Sequence, residues 1–457
     1  MTNKSSIDND DISSLKKTIR KNYSILLNDF YTPKTTLDYK IINHNSKKDI
    51  IINTNVSNDT DNNQYTHIYK KLYKYVNLTN NITNKLDKKV IDFYKRLLKF
   101  NRGTLKKKIT TMYGLNFKNI DMINDAYLKL YEIFMHTNLL STKKTYNTMH
   151  FAEAPGGFIL ATNTYLKVLN KNNNINHKWF ANSYNPEGRP LTSILEVGKG
   201  LGDDYGLMQR HPDKWLFGNN NTGDLTNSQV IRDIRNNLKG IDLDIVTGDG
   251  GLGENSNISE ERYYHNLQKL DFAQMVAIAN FCTKKSHCVV KIFTNDTDNK
   301  YMKNAFDLYF GICYMYILMF ETVQLIKPSM SADSTGEYYI VGRNFIGIDD
   351  NTREQLLNVL DKFTTNMSFI DVPNNIKEQL IDFFKTIAIN LTNFHKKLLF
   401  LVIYRDQNIK KMIGDDYNKT KSELYFNKDK YNEQIKKFNH YWIDNNKFDL
   451  TNIYIEL

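Results

Sequence analysis

The feature that most constrains the fold is an alternation in the middle of the chain. Between about 106 and 345, short apolar runs bounded by turn residues are interleaved with segments of helical period. The runs are Met149-His150-Phe151, Trp179-Phe180-Ala181, Leu243-Asp244-Ile245-Val246, Cys288-Val289-Val290-Lys291-Ile292-Phe293 and Tyr338-Tyr339-Ile340-Val341. Helical patterns lie over Ala126–Phe134, over the stretch starting at Phe158 and over Asn266–Phe281. Short strands that are apolar on both sides need cover on both faces, and parallel strands need crossover segments long enough to be helices. The pattern therefore predicts an α/β domain built on a mainly parallel sheet.

The flanks read differently. Residues 1–105 are polar, with an Asn/Asp-rich patch from Asn53 to Asn63 that reads as a loop or disordered insert. Helices are expected beside it, for example over Asp92–Phe100, where Phe93, Tyr94, Leu97 and Leu98 share a face. Residues 346–457 are dominated by helical period over Thr352–Phe363, Ile376–Leu391 and Tyr431–Phe438, while Leu398–Tyr404 reads as a strand or a buried helix. The expected organisation is an N-terminal extension over 1–105, an α/β domain over 106–345 and a C-terminal extension over 346–457.

Composition narrows the class. With 457 residues, 41% hydrophobic and 24% charged, the chain is neither wholly disordered nor fibrous. Its net charge of +11 points to an acidic partner, nucleic acid by default. A coding bias toward Lys, Asn, Ile and Tyr would give the same excess with no partner. Mean hydropathy of −0.53 argues against a polytopic membrane protein. The longest apolar stretch, Phe310–Phe320, falls short of the roughly 20 residues that span a bilayer. Cys282, Cys288 and Cys313 build neither a disulfide framework nor a zinc site. Because Met1-Thr2-Asn3-Lys4-Ser5 leads into Asp8, Asp10 and Asp11 with no apolar run, no secretory signal is expected. The expectation is a soluble intracellular protein, placed first in the cytoplasm (of a host, or in a virion, if viral), with the nucleus as the alternative.

Chemistry concentrates in a few places. The segment Phe151-Ala152-Glu153-Ala154-Pro155-Gly156-Gly157-Phe158 sits where a strand turns into a helix. That is where open α/β sheets bind ligands, and paired glycines let backbone approach a ligand closely. By contrast, Gly198-Lys199-Gly200-Leu201-Gly202 does not complete a dinucleotide fingerprint, because Asp203 stands at the third glycine position, and it reads as a loop. Four charged residues occupy unexpected settings. Asp249 follows the run ending Val246-Thr247-Gly248, Lys291 is embedded in a strand, Glu337 opens another, and Lys129 lies on the helix over 126–134. A lysine placed like Lys291 either snorkels or is held by carboxylates. Taken alone, Lys129 reads as an exposed helix lysine, Asp249 as a turn residue and Glu337 as a solvated strand-start carboxylate.

Together these residues resemble a known family. Ala152-Glu153-Ala154-Pro155-Gly156-Gly157-Phe158 is similar to the S-adenosylmethionine loop of FtsJ-like RNA ribose 2′-O-methyltransferases. Gly248-Asp249-Gly250-Gly251, then Val289–Phe293, then Lys327-Pro328 through Ser331, Ser334 and Glu337-Tyr338 follow in that family's order. The ensemble, over roughly 120–345, is closest to the cap-specific mRNA 2′-O-methyltransferases of eukaryotes and large DNA viruses. The resemblance implies a Rossmann-like α/β fold, with a seven-stranded mainly parallel sheet, helices on both faces and mostly helical extensions. It implies a Lys-Asp-Lys-Glu tetrad at Lys129, Asp249, Lys291 and Glu337. It further implies a cofactor site at Glu153, Ala154, Pro155, Gly156, Gly157, Phe158 and Asp249, with Asp224 at the position that contacts adenine. The strand Lys178-Trp179-Phe180-Ala181 runs into Asn182-Ser183, not into the acidic residue that many methyltransferases place there for the cofactor ribose.

The activity implied is S-adenosylmethionine-dependent methyl transfer to an RNA ribose 2′-hydroxyl, on the first nucleotides of capped mRNA, without a metal. Partners would be RNA and the capping or transcription machinery, with no membrane. Alternatives are a methyltransferase of ribosomal or other RNA and a catalytically silent RNA-binding subunit. In the active reading Lys291 is the general base. Burial and the charge of Lys129 disfavour its ammonium form, while Asp249 and Glu337 oppose that and orient it. The run Lys106-Lys107-Lys108 near Arg102 is a candidate phosphate-binding patch.

Overall fold

The computed structural model describes residues 35–42, 50–54, 67–68, 70–83, 102–113, 123–188, 202–252, 258–293, 305–405 and 428–451. The expected helix over Asp92–Phe100, most of the Asn53–Asn63 patch and residues 198–201 of the second glycine cluster lie outside them.

The strands are β1 (Leu37–Ile42), β2 (Thr145–Phe151), β3 (Asn176–Ala181), β4 (Ile245–Gly248), β5 (His287–Phe293), β6 (Phe320–Lys327) and β7 (Glu337–Phe345). Eleven helices are described: α1 (Lys70–Thr83), α2 (Arg102–Tyr113), α3 (Asp125–Thr137), α4 (Gly157–Asn170), α5 (Leu207–Arg210), α6 (Ser228–Asn237), α7 (Glu260–Phe281), α8 (Phe306–Met319), α9 (Asp350–Asp361), α10 (Asn374–Arg405) and α11 (Lys428–Asn445). The ambiguous run 398–404 is helical, inside α10.

All seven strands form one sheet, in the order β1-β6-β7-β5-β4-β2-β3. The pairs β2–β3, β2–β4 and β4–β5 are parallel, whereas β5–β7, β6–β7 and β1–β6 are antiparallel. The sheet is thus mixed in its pairing, although β2 to β6 all point one way. After β3 the chain returns to the other side of β2 to lay down β4, which makes the β2–β4 boundary the topological switch point where such sheets bind ligands.

Strand alternation sends side chains into two cores. In β5, Cys288, Val290 and Ile292 join the core under α6 to α10, while Val289 joins the core under α2, α3, α4 and α11. Tyr338 and Ile340 of β7 face the first core, and Tyr339 and Val341 face the second. Two histidines of the sheet are absorbed structurally: the buried His150 bonds the hydroxyls of Thr148 and Thr247, each at 2.8 Å, and the half-buried His177 bonds Thr148 at 2.9 Å.

Two strands are not legible as runs of apolar residues. β6 follows α8 with no intervening turn residue. β1 comes from the region expected to be helical and pairs with β6 from Leu37 opposite Lys327 to Ile42 opposite Thr322. No helix among the described residues is long and apolar enough to cross a membrane.

Candidate active site

The carboxyl ends of the parallel strands carry the polar loops. Beyond β2, Ala152 adopts a left-handed conformation (φ 52°), unusual for a residue with a Cβ and of the kind that concentrates at functional sites. Gly156, with φ 118°, caps α4. Glu153 is buried, and its Oε1 accepts the amides of Phe158 (2.7 Å) and Ile159 (3.0 Å), so its carboxylate closes the N-terminus of α4. Burial pushes its pKa well up, with those two amides and Lys291 opposing and Asp249 adding to the rise. Phe158 itself is a core residue whose ring packs 6.3 Å from that of Tyr339, so what it offers this edge is its backbone.

Beyond β3, Asn182 is buried and its Nδ2 donates to the carbonyls of Leu216 (2.9 Å) and Gly223 (3.2 Å), leaving its Oδ1 buried without a partner among the described residues. Asn182 therefore fastens β3 to the loop that carries Asp224. The approach is tight, since a Cβ on Gly223 (φ 57°) would stand 1.9 Å from the Ser183 carbonyl oxygen. Asp224 turns Oδ1 inward, to the amide (2.9 Å) and hydroxyl (2.8 Å) of Thr226. Tyr184 projects beside them, 58% exposed. The carboxylate of Asp203 accepts the amides of Met208 and Gln209 at the start of α5, which is a helix cap and not part of a dinucleotide loop.

The four tetrad candidates come together as two ion pairs. Lys129 Nζ lies 2.7 Å from Glu337 Oε1 and 2.9 Å from its Oε2. Lys291 Nζ lies 2.9 Å from Asp249 Oδ1. Residues Phe293 and Glu337 are direct partners between β5 and β7, and Asp249 starts the loop leaving β4, so the sheet itself brings the pairs alongside each other. Lys129 is buried, contrary to its reading as an exposed helix lysine. From Tyr127 to Phe134 every residue of α3 is buried, because the helix is wedged between α4, α11 and the sheet.

The electrostatics differ from expectation at Lys291. Burial disfavours its ammonium form, but Asp249, Glu337 and Asp271 outweigh that, and the pKa stands above that of an ordinary lysine. Glu337 shows the converse. Burial would raise its pKa, yet Lys129, Lys291 and Lys327 together hold its carboxyl well below the usual range.

Several supporting residues take roles that the sequence alone does not assign, although Lys327 and Ser331 belong to the motif quoted above. Ser331 donates to Glu337 Oε1 at 2.6 Å. The buried ammonium of Lys327 donates to Ser331 Oγ (3.3 Å) and to the carbonyls of Thr335 (2.9 Å) and Glu337 (2.8 Å), holding the β6–β7 turn from beneath. Gln274 of α7 accepts the Gly250 amide (2.8 Å) and donates to the Lys291 carbonyl (3.2 Å), and a Cβ on Gly250 would come within 2.6 Å of it. A polar residue inside the apolar run Phe272–Ala279 is the one signal for Gln274 that the sequence offers. Lys106, Lys107 and Lys108 lie on α2, which packs against α11; Lys107 is exposed and the other two are half-buried.

Residues 123–345 match the model of the FtsJ-like methyltransferase family. This part of the chain is similar to that family, whose model covers just under half of the sequence. The matched stretch takes in α3 and the strands β2 to β7. An uncharacterized protein of Acanthamoeba polyphaga mimivirus is 32% identical over 274 residues, covering 59% of this chain and 30% of that protein. A probable methyltransferase of African swine fever virus is 29% identical over 265 residues, 55% of each chain. The cap-specific mRNA (nucleoside-2′-O-)-methyltransferase 2 of Danio rerio is 28% identical over 263 residues, 54% of this chain and 31% of that enzyme. The chain thus spans between about a third and about half of the length of these relatives.

Proposed function

We propose that the protein is an S-adenosylmethionine-dependent methyltransferase of RNA ribose 2′-hydroxyls, acting on the first nucleotides of capped mRNA. The observation that carries this reading is the pairing of Lys129 with Glu337 and of Lys291 with Asp249 at the carboxyl edge of an FtsJ-like sheet. The relatives named as cap-specific enzymes favour capped mRNA over other RNA.

The donor set suits the cofactor. Glu153, Asp249 and Asp224 line one edge as carboxylates, matching a ligand that presents an ammonium group, ribose hydroxyls and an adenine amine. Gly156 and Gly157 make room for the side chains of Leu207 and Asn124, which a Cβ would meet at 2.2 and 2.6 Å, and the unpartnered Oδ1 of Asn182 is one more acceptor where a ribose-binding acid is missing. When bound, S-adenosylmethionine supplies an electrophilic methyl group and the positive charge of a sulfonium.

The residues divide the remaining work. The 2′-hydroxyl is a weak nucleophile, and Lys291 Nζ takes its proton. For this Lys291 has to be neutral, although its carboxylate partners favour the ammonium form. Positive charge gathered beside it as the substrates bind, together with exclusion of water, lowers its pKa toward working range. Asp249 fixes the direction of Nζ. Glu337 and Lys129 form the opposite wall, where the Lys129 ammonium stabilises charge developing on the ribose oxygen.

The test is labelled methyl transfer to capped and uncapped RNA, with the modified nucleoside identified. Label on a 2′-O-methyl nucleotide next to the cap supports the proposal. Equal labelling of uncapped RNA assigns the enzyme to other RNA, and no transfer to either supports a silent RNA-binding subunit.

A further inference from the structure

Glu132 lies one turn beyond Lys129 on α3 and is 1% exposed, yet the proposed chemistry leaves it unused. Its carboxylate gathers five donors from three other parts of the chain. Oε1 accepts the Ser329 amide at 2.6 Å and the hydroxyl of Thr36, just ahead of β1. Oε2 accepts the Ser329 hydroxyl (3.0 Å), the Met330 amide (3.2 Å) and the indole N–H of Trp442 on α11 (3.0 Å). None of the five donors is charged. A buried carboxylate satisfied by neutral dipoles costs more than an apolar side chain of the same shape and adds order only where its geometry is used.

Its neighbours show that use. Ser329 and Met330 open the β6–β7 turn, and Ser331, the next residue, donates to Glu337, which pairs with Lys129. The ring closes on itself: Glu132 grips the turn, the turn grips Glu337, Glu337 grips Lys129, and Lys129 shares a helix with Glu132. Thr36 and Trp442 fasten the two extensions onto that ring.

We propose that Glu132 is a positioning residue, a clamp through which the N-terminal strand and the C-terminal helix hold Lys129 and Glu337 in register. This rests on the catalytic reading given above. The extensions then serve the methyl-transfer step as well as the fold. Among the described residues Trp442 alone supplies the C-terminal half of the connection, so the N–H of its indole is the point to remove.

The experiment uses the full-length protein with Glu132→Gln, Trp442→Phe and, as a packing control, Phe448→Leu. Phe448 packs against Trp442 (ring centroids 5.6 Å) and Tyr131 (4.8 Å), and its side chain belongs to that aromatic cluster and not to the clamp. Two readouts are taken: kcat with KM for each substrate, and amide exchange at residues 329–336. Trp442→Phe and Glu132→Gln are expected to lower kcat by about tenfold to a hundredfold, as misplacement of reacting groups does, with the KM for S-adenosylmethionine unchanged. Both should speed exchange at Ser329 and Met330, while Phe448→Leu lowers the melting temperature and spares kcat. Unchanged exchange in both clamp variants overturns the clamp, and faster exchange with normal kcat overturns its positioning role. A drop of kcat in Phe448→Leu equal to that in Trp442→Phe assigns the effect to packing and also overturns it. Wild-type protein that transfers no methyl refutes the catalytic reading instead, while the exchange data still decide the clamp.

Discussion

Replacing Glu337 by Gln keeps the shape and removes the charge. The Ser331 hydroxyl at 2.6 Å can still find an acceptor, but the Lys129 ammonium, 2.7 and 2.9 Å from the two carboxylate oxygens, then faces an amide. With its side chain 11% exposed, Lys129 has little water to turn to. An uncompensated buried charge of this kind costs about 3–5 kcal/mol, and the slight exposure favours about 3. Lys129→Met should cost less, because Lys291 and Lys327 still stabilise the Glu337 carboxylate. The double variant Lys129→Met with Glu337→Gln removes both charges, so it should recover part of the stability, giving a coupling energy of about 2 kcal/mol. Denaturant titrations with unchanged slope read these differences as shifts in midpoint. The pH dependence has a definite sign. Since the folded pKa of Glu337 is depressed, its contribution is fully present above the unfolded value of about 4.3 and is lost as pH falls below it. Wild type and Glu337→Gln should therefore converge in acid and differ by a constant amount between about pH 6 and 8. A cost below about 1 kcal/mol with additive single variants would show that solvent, not the protein, carries this pair.

The same edge of the sheet makes further outcomes measurable. Lys291→Ala should cut methyl transfer by about a hundredfold to ten-thousandfold, the range of a missing general base, with cofactor binding measured by calorimetry nearly intact; near-normal turnover sinks the assignment. Because the free-protein pKa of Lys291 is raised, kcat/KM should keep rising with pH beyond about 10, so a plateau near pH 8 would give the titration to another group. Gly223→Ala should destabilise the fold by about 1–3 kcal/mol, as overpacking does, and weaken cofactor affinity, since its Cβ would meet the Ser183 carbonyl and push Asp224 away. Unaltered cofactor affinity in that variant would remove Asp224 from the cofactor site. Neutralising Lys106, Lys107 and Lys108 should flatten the salt dependence of RNA affinity by about 0.7 in log–log slope for each phosphate that these lysines neutralise in the native complex; an unchanged slope leaves α2 as a solvated face.

What can be read in advance follows local signals. β2, β3, β4, β5 and β7 announce themselves as apolar runs closed by turn residues, and Lys291 stands out because a strand buried on both faces gives a lysine no obvious place. β6 is hidden because Phe320 follows directly on the apolar helix ending at Met319, so only sheet pairing marks the boundary. The burial of Lys129 and Glu132 does have a signal. Tyr127, Leu128, Leu130, Tyr131, Ile133 and Phe134 surround α3 with apolar groups, and a helix apolar all round takes its few charges into the interior with it. The net charge balance at Lys291 is not legible, because opposing effects of burial and three carboxylates are resolved by distance alone.

The pairing of β1 with β6 has a practical meaning for anyone dissecting this protein. A fragment cut at 123–345 would keep every tetrad candidate and lose the strand that covers the outer side of β6 from Thr322 to Lys327. The bared edge would offer a row of unpaired amides and carbonyls with alternating Val323 and Leu325, a template for strand addition from another copy. Insolubility of such a fragment would then report a missing neighbour and not a defective catalytic centre, and the smallest useful unit begins ahead of Leu37.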